Sequence, residues 1–299
     1  MSPLQDKAHA KINLFLHVTG RRPDGYHLLD SLVVFAEAGD KLFLKPAPSA
    51  HHSSLELTGP FSQGLRAESN NLVLKAAEGL KQKYYDLNAK NPPPVHFTLE
   101  KNLPVSSGIG GGSADAASAL RLLTHHWNIP PQAASDLAPS LGADIPVCFV
   151  QETVRIEGIG EILSPVPPLP SMGMILLNPK IAVSTPTIFK NLALPVGVSS
   201  STRTDFPTQS WKDLEEFIAF LSTTRNDLQA PAIKQVPVIA DMIEILSDLP
   251  DSLFARMSGS GATCFALFKT KEQALKAQAI LMKKDITRSW WCWAGKVRV

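Results

Sequence analysis

The chain is poor in the features that mark several large classes of protein. It has three cysteines in 299 residues, Cys148, Cys264 and Cys292, set far apart in apolar surroundings. That spacing matches neither a disulfide framework nor a CxxC zinc pair, so buried free thiols in a reducing compartment are expected. Charge is nearly balanced, 29 Lys and Arg against 27 Asp and Glu, which provides no overall field for nucleic acid or an anionic membrane. No apolar run approaches the length of a membrane span. The first residues, MSPLQDKAHAKINLFLHV, lack the unbroken apolar stretch and small-residue cleavage site of a secretory leader. A soluble cytoplasmic protein is therefore expected, with no nucleic-acid or membrane partner. Histidine does not suggest a metal hydrolase either. His51 with His52 and His125 with His126 are adjacent pairs, whose members cannot share one face of a helix, and HExxH is absent. Internal repeats and long low-complexity tracts are missing, and the Ser/Thr stretch at 199–204 reads as a mobile loop.

What the chain does have is glycine concentrated in one place. Residues 102–120 read NLPVSSGIGGGSADAASAL, with four glycines in five positions ahead of an alanine-rich stretch. Such a loop lets backbone NH groups gather round an anion, and a following helix N-terminus adds a favourable dipole. It is neither of the common nucleotide loops. GxxxxGK[ST] fails for want of a lysine, and GxGxxG fails because its last position is Ser113 or Asp115. A second small-residue loop, RMSGSGATCF at 256–265, reads as a β-turn, or as a place where Gly259 and Gly261 let the backbone approach a ligand closely.

The 44% share of hydrophobic residues over this length allows one large or two ordinary domains. Residues 10–18 alternate, Ile12, Leu14, Leu16 and Val18 on one face against Lys11, Asn13, Phe15 and His17 on the other. A half-buried strand is expected, with Lys11 and Asn13 side by side on its open face. RRPDGYH at 21–27 is a turn, with strands in LLDSLVVF, DKLFLK and VHFTLEK. Asn70 and Asn71 form a cap for a helix that follows. From Ser113 a helix carries Ala116, Leu120, Leu123 and Trp127 inward. SDLAPSLGADIPVCFV is expected to be a short helix broken around Pro139, a turn, and an apolar strand. PVPPLP at 165–170 divides the chain into domains 1–164 and 165–299. The second is expected to be a small α+β unit, with strands in MILLN and TCFALF and helices in WKDLEEFIAFL, VIADMIEIL and KEQALKAQAILMKK.

Two charged residues suit phosphoryl transfer. Lys11 would neutralise developing charge, and Asp144, in LGADIP, would orient or deprotonate an attacking hydroxyl. Taken separately, Lys11 also reads as a solvated strand residue and Asp144 as a turn or helix-cap residue.

Taken in order, AKINLFLHVTGRRPDGYHLLDSL, LPVSSGIGGGSADAA, LGADIPVCF, STPTIFK and RMSGSGATCF resemble the GHMP small-molecule kinases, from about Ala10 to Phe268. The resemblance implies a two-domain α/β (α+β) fold, with an N-terminal ATP domain of ribosomal-protein-like fold and a ferredoxin-like C-terminal domain. Within the family, the DGYH turn resembles members that use ATP to phosphorylate the 2-hydroxyl of a cytidine-diphosphate-linked methylerythritol in non-mevalonate isoprenoid synthesis. By that pattern Asp144 is the base, also touching substrate, and Lys11 its partner. Pro104, Ser107, Gly108, Gly110, Gly111, Gly112, Ser113 and Ala114 wrap the triphosphate, Asn71 and Leu72 line the adenine pocket, and Lys101 approaches the nucleotide. Tyr26, His27 and Phe189 hold the cytidine end, and Asn13 and Thr185 contact the erythritol or diphosphate. Many relatives carry GLGSS, whose serine helps hold Mg2+. Here Gly111 and Gly112 stand there, so the metal's protein ligands stay unassigned and phosphate and water are its expected ligands. A monomer or weak homodimer is expected. The alternatives are a family member acting on homoserine, a sugar or a mevalonate derivative, and a non-enzymatic RNA-binding module.

Overall fold

The structure is a computed structural model that describes residues 3–68, 70–199 and 203–299. Among these the elements run in chain order β1 (Leu4–Arg21), β2 (His27–Pro46), β3 (Ser54–Thr58), α1 (Leu72–Asn88), β4 (Val95–Glu100), α2 (Gly111–His126), α3 (Pro131–Leu141) and α4 (Ile145–Val150). There follow β5 (Val154–Gly158), β6 (Ile162–Pro165), β7 (Gly173–Asn178), α5 (Thr185–Asn191), α6 (Leu214–Thr223), α7 (Gln229–Gln235) and α8 (Val238–Ser247). The last are β8 (Phe254–Met257), β9 (Cys264–Phe268), α9 (Lys271–Leu281) and β10 (Trp291–Arg298). No helix among the described residues is long and apolar enough to cross a membrane.

The chain forms two compact units that are interleaved in sequence. The first takes the residues up to Ala10, Gly39–Leu103 and Gly110–Gln151, and the second takes Lys11–Ala38, Pro104–Ile109 and Glu152–Val299. The composition shift at 164/165 falls at the last two residues of β6, where Ser164 pairs with Arg155 and Pro165 with Val154 of β5.

In the first unit β3 runs parallel to β4, and β4 runs antiparallel to the second half of β2, with Leu42 opposite Leu99 and Leu44 opposite Phe97. Strand β4 alternates as its sequence demands. Val95, Phe97 and Leu99 are buried while His96, Thr98 and Glu100 are half-exposed. Helix α1 begins at the Asn71 cap, whose side chain accepts the Val73 NH at 3.0 Å. It buries Val73, Ala76, Ala77 and Leu80, and α2 buries Ala116, Leu120 and Leu123 as its spacing predicts. Alanines on both helices permit their close packing.

Two expectations fail here. Helix α3 runs through Pro139 to Leu141, since a proline this near the C-terminus of a short helix removes one hydrogen bond without ending it. IPVCFV is helix α4 and not a strand. A short apolar run has no periodicity that separates strand from buried helix, and Pro146 in the first turn suits a helix start.

In the second unit Leu29–Val33 of β2 pair with β5, while Phe35 and Ala36 pair with Arg298 and Val297 of β10. Strand β10 is antiparallel to β7, β7 to β9, and β9 to β8. Every residue of β7 and β9 is buried, in a core to which α5, α7, α8 and α9 contribute Ile188, Ala232, Ile239, Met242 and Ala277. The face of β1 expected to be open is closed: Lys11 and Asn13 are 5% and 1% exposed, and Phe15 is fully buried beside Phe206 and Phe220. None of the three cysteines is in a disulfide; Cys148 and Cys264 are buried and Cys292 is half-buried rather than buried. Of the stretch read as a mobile loop, Ser200, Ser201 and Thr202 lie outside the described residues. Ser199 bridges to Gly20, and the Thr204 NH donates to Asp30 at 2.8 Å.

Candidate active site

The first half of the glycine loop, Pro104–Ile109, belongs to the second unit, and backbone contacts set its shape. The Ser107 hydroxyl donates back to the Pro104 carbonyl at 2.6 Å. The Thr263 NH donates to the Ser107 carbonyl at 3.1 Å, and the Lys11 NH to the Ile109 carbonyl at 3.0 Å. Gly108 has a φ of +74°, and a Cβ there would stand 2.6 Å from the Ser258 carbonyl oxygen and 2.7 Å from the Gly261 nitrogen. A Cβ on Gly259 would in turn meet the Gly108 carbonyl oxygen at 2.6 Å. The two small-residue loops are thus docked on each other. Their glycines first serve a backbone-to-backbone approach that no Cβ would allow.

From Gly110 the chain belongs to the first unit and becomes helix α2. Gly110 takes the left-handed conformation, φ +67°, as the residue before the helix, and neither a side-chain cap nor a first-turn acid follows it. The Ala114 NH bonds to the Gly110 carbonyl at 2.8 Å. The amides of Gly111, Gly112 and Ser113, which precede that first helical bond, are left for an anion. A Cβ on Gly112 would touch only Leu72 Cδ1, at 3.8 Å, so Leu72, next to the Asn71 cap of α1, lies at the start of α2. Beneath Gly111, Lys101 is buried with its ammonium on Asp115, at 2.6 Å, and on Asp40. Its charge is held by two carboxylates, an arrangement with no signal in the sequence.

Lys11 is assigned to the second unit and Asp144 to the first. Burial of Lys11 rules out the solvated-strand reading. Asp144 is half-exposed and stands in a turn as the N-cap residue of α4, as the turn or helix-cap reading has it, although its side chain makes no capping hydrogen bond. Arg121 of α2 anchors that short helix. It donates to the Cys148 carbonyl at 2.7 Å and the Phe149 carbonyl at 3.2 Å, and pairs with Asp6 at 2.6 Å.

The residues expected to hold an acceptor lie in the second unit. The Asn13 NH donates to the Ser258 hydroxyl at 3.1 Å and its Nδ2 to the Ser31 hydroxyl at 2.8 Å. Its Oδ1 is buried without a hydrogen-bond partner among the described residues. Thr185 is exposed, and its hydroxyl shares a 2.7 Å hydrogen bond with Ser260. His27 stacks on Phe189 with ring centroids 4.9 Å apart and planes 29° from parallel. Burial and then Arg21 push the His27 pKa down, which keeps the ring neutral. Tyr26 is 58% exposed, so the aromatic pair in this structure is His27 with Phe189, and Tyr26 is no core residue. Sequence reading also missed Asn226 and Arg256. Asn226 Nδ2 holds the Met257 and Gly259 carbonyls at 2.9 and 2.8 Å. Buried Arg256 donates to the Leu14 carbonyl at 3.0 Å and the Thr224 carbonyl at 2.6 Å. Only the arginine's place directly before the loop could have flagged it.

Comparison with known proteins bears on this geometry. The N-terminal domain of the GHMP kinases matches residues 71–152 and their C-terminal domain matches residues 202–285. The chain is 47% identical over 290 residues to the 4-diphosphocytidyl-2-C-methyl-D-erythritol kinase of Ruegeria pomeroyi, covering 97% of this chain and 98% of that one. The protein of the same name from Granulibacter bethesdensis is also 47% identical, over 96% of this chain and 92% of its own. Among solved structures, a 4-(cytidine 5'-diphospho)-2C-methyl-D-erythritol kinase superposes with a TM-score of 0.72 at 28% identity, covering 99% of this chain and 100% of that one. A homoserine kinase from Cytophaga hutchinsonii gives 0.65 at 14% identity, over 100% of this chain and 95% of its own, which shows the shared fold alone. With both domains matched and near-full-length relatives at this identity, the chain belongs to the GHMP kinase family.

Proposed function

We propose that this protein transfers the γ-phosphoryl group of ATP to the 2-hydroxyl of 4-diphosphocytidyl-2-C-methyl-D-erythritol, a reaction of non-mevalonate isoprenoid synthesis. The observation that carries the reading is 47% identity across 97% of the chain to a kinase of that name. The geometry supports it. Uncapped amides at the start of α2 suit phosphate, and Leu72 beside Gly112 suits the adenine end. The neutral His27 ring stacked on Phe189 suits a pyrimidine, which favours this acceptor over homoserine or mevalonate.

In this reading residues 1–164 form the ATP-binding domain and 165–299 the C-terminal domain, and the two family matches fall on either side of that boundary. Asp144 takes the proton of the 2-hydroxyl, the freed oxygen attacks the γ-phosphorus, and ADP leaves. Lys11 steadies the negative charge that develops on the transferred group. Pro104, Ser107, Gly108, Gly110, Gly111, Gly112, Ser113 and Ala114 hold the triphosphate, Asn13 and Thr185 the erythritol or diphosphate, and Tyr26 lies at the cytidine end. Mg2+ would neutralise phosphate charge when bound and would be held chiefly by phosphate and water, since Asp40 and Asp115 beside the loop are engaged by Lys101. The enzyme works in the cytoplasm as a monomer or weak homodimer, without nucleic-acid or membrane partners.

ATP turnover with the cytidylated methylerythritol beside homoserine and mevalonate tests class and acceptor together. Consumption with the first alone is expected. Preference for either of the others would overturn the acceptor, and no turnover with any would overturn the reading.

A further inference from the structure

Asp40, Lys101 and Asp115 form a wholly buried cluster in the first unit. Asp40, on β2, accepts the NH of Asn102 at 2.5 Å and of Leu103 at 2.8 Å through Oδ1, and binds the Lys101 ammonium through Oδ2. Those residues are the approach to the glycine loop. Asp115 stands on α2, the element that leaves the loop, and takes the same ammonium at 2.6 Å. The Lys101 backbone is fixed as well. Its NH donates to the Thr58 carbonyl at 2.8 Å, and its carbonyl accepts the Phe61 NH at 3.1 Å. A Cβ on Gly111 would lie 3.7 Å from the Lys101 Nζ and 3.9 Å from the Asp40 Oδ2. The cluster therefore lies directly beneath the amides that face phosphate.

We propose that Asp40, Lys101 and Asp115 are positioning residues for the nucleotide, fixing both flanks of the glycine loop and setting the charge that bound phosphate meets. The proposal rests on the kinase reading for its ligand. Two carboxylates sharing one ammonium would leave a net negative charge under an anion site unless one carboxyl keeps its proton. Burial pushes the Asp115 pKa up to about 8, Lys101 working against this and Asp40 adding to it. For Lys101, burial works to lower the value, but the Asp115 and Asp40 carboxylates overcome it and hold the ammonium charged. The cluster is then neutral near pH 7, with the proton assigned to Asp115 Oδ1, which has no hydrogen-bond partner among the described residues. It gains a negative charge as that proton leaves.

Lys101 and Asp40 are the charged groups that act on Asp115. On the neighbouring elements Lys41 of β2 pairs with Glu100 of β4 toward solvent, α1 carries Lys75 and Glu78 exposed, and β1 packs the backbone of His9 on Gly39.

The test is ADP binding by calorimetry at pH 7.0 and 9.5 and constant ionic strength, for wild type and Asp115→Asn. Wild-type affinity is expected to fall about tenfold, since one unit of proton coupling corresponds to a factor of ten. The amide variant, which mimics the protonated acid, should lose this pH dependence and change less than twofold between the two pH values, whatever its affinity at pH 7.0. An equal fall in both proteins would overturn the proposal and leave the kinase reading intact. Failure of the wild type to bind ADP at any pH would overturn both. Infrared difference spectra of the wild type give a reading that needs neither variant nor nucleotide. Loss of a protonated-carboxyl band between the two pH values is expected, and its absence overturns the assignment.

Discussion

A Cβ on Gly108 would stand 2.6 Å from the Ser258 carbonyl oxygen, and the Ser258 hydroxyl donates to the Gly108 carbonyl at 3.3 Å. Gly108→Ala therefore combines a left-handed backbone, unfavourable for any L residue, with a clash against fixed backbone. A loss of about 2–4 kcal/mol is expected in denaturant unfolding. Gly112→Ala is the contrast, because only Leu72 lies near and the position is helical. Its stability should hold or rise by about 0.5–1 kcal/mol, while the KM for ATP rises several-fold. Equal stabilities of the two variants would contradict the docking argument, and an unchanged KM would remove Gly112 from the phosphate-binding set.

Asp144 is half-exposed at the start of α4, so its replacement should cost chemistry more than folding. For Asp144→Asn, kcat is expected to fall by ~10²–10⁴ with the KM for ATP within a few-fold of wild type. Lys11→Met should lose a similar share of kcat. Near-normal turnover in either variant refutes that residue's role.

Phe189→Ala removes the face on which His27 stacks. The KM for the cytidylated acceptor should rise about tenfold, as expected for a lost aromatic contact of about 1 kcal/mol and its buried area, with the KM for ATP unchanged. A rise in both constants together would point to general damage in the second unit.

His17 Nε2 accepts the Arg225 NH at 3.1 Å, and Nδ1 shares a hydrogen bond with Thr204 at 3.0 Å. Burial first, then Arg225, hold its pKa below the ordinary 6.5. Between the folded value and 6.5 the unfolded chain binds the proton and the folded chain does not. Stability is therefore kept above about pH 6.5 and lost as pH falls below it. Tm should drop between pH 7.5 and 5.5, and less so in His17→Gln. The same drop in the variant would assign the acid sensitivity to other groups, of which His27 and His126 shift in the same direction.

Local signals could be read where local physics decides the outcome. Asn71 caps α1, β4 alternates with period two, and the glycines interrupt the chain where strand gives way to helix. The sequence could not show what covers a face. Lys11 and Asn13 looked solvated because alternation reports one apolar side and says nothing of the other, which here meets residues as remote as Ser258, 245 positions from Asn13. The resemblance put Lys101 near the nucleotide but could not show its partner Asp40, which lies 61 positions away in no motif. The α4 error is of another kind, since six apolar residues satisfy either periodicity.

The docking of the two small-residue loops also fixes an order of events during synthesis. The backbone partners that hold Ser107 and Gly108 reside at Thr263 and Ser258, so a ribosome-bound chain that has not yet exposed those residues holds an unshaped glycine loop. If the loop holds a triphosphate as proposed, its shape depends on residues 150 positions further along the chain. A chain cut before the 258–263 hairpin is then expected to carry the glycine motif without the backbone partners that shape it.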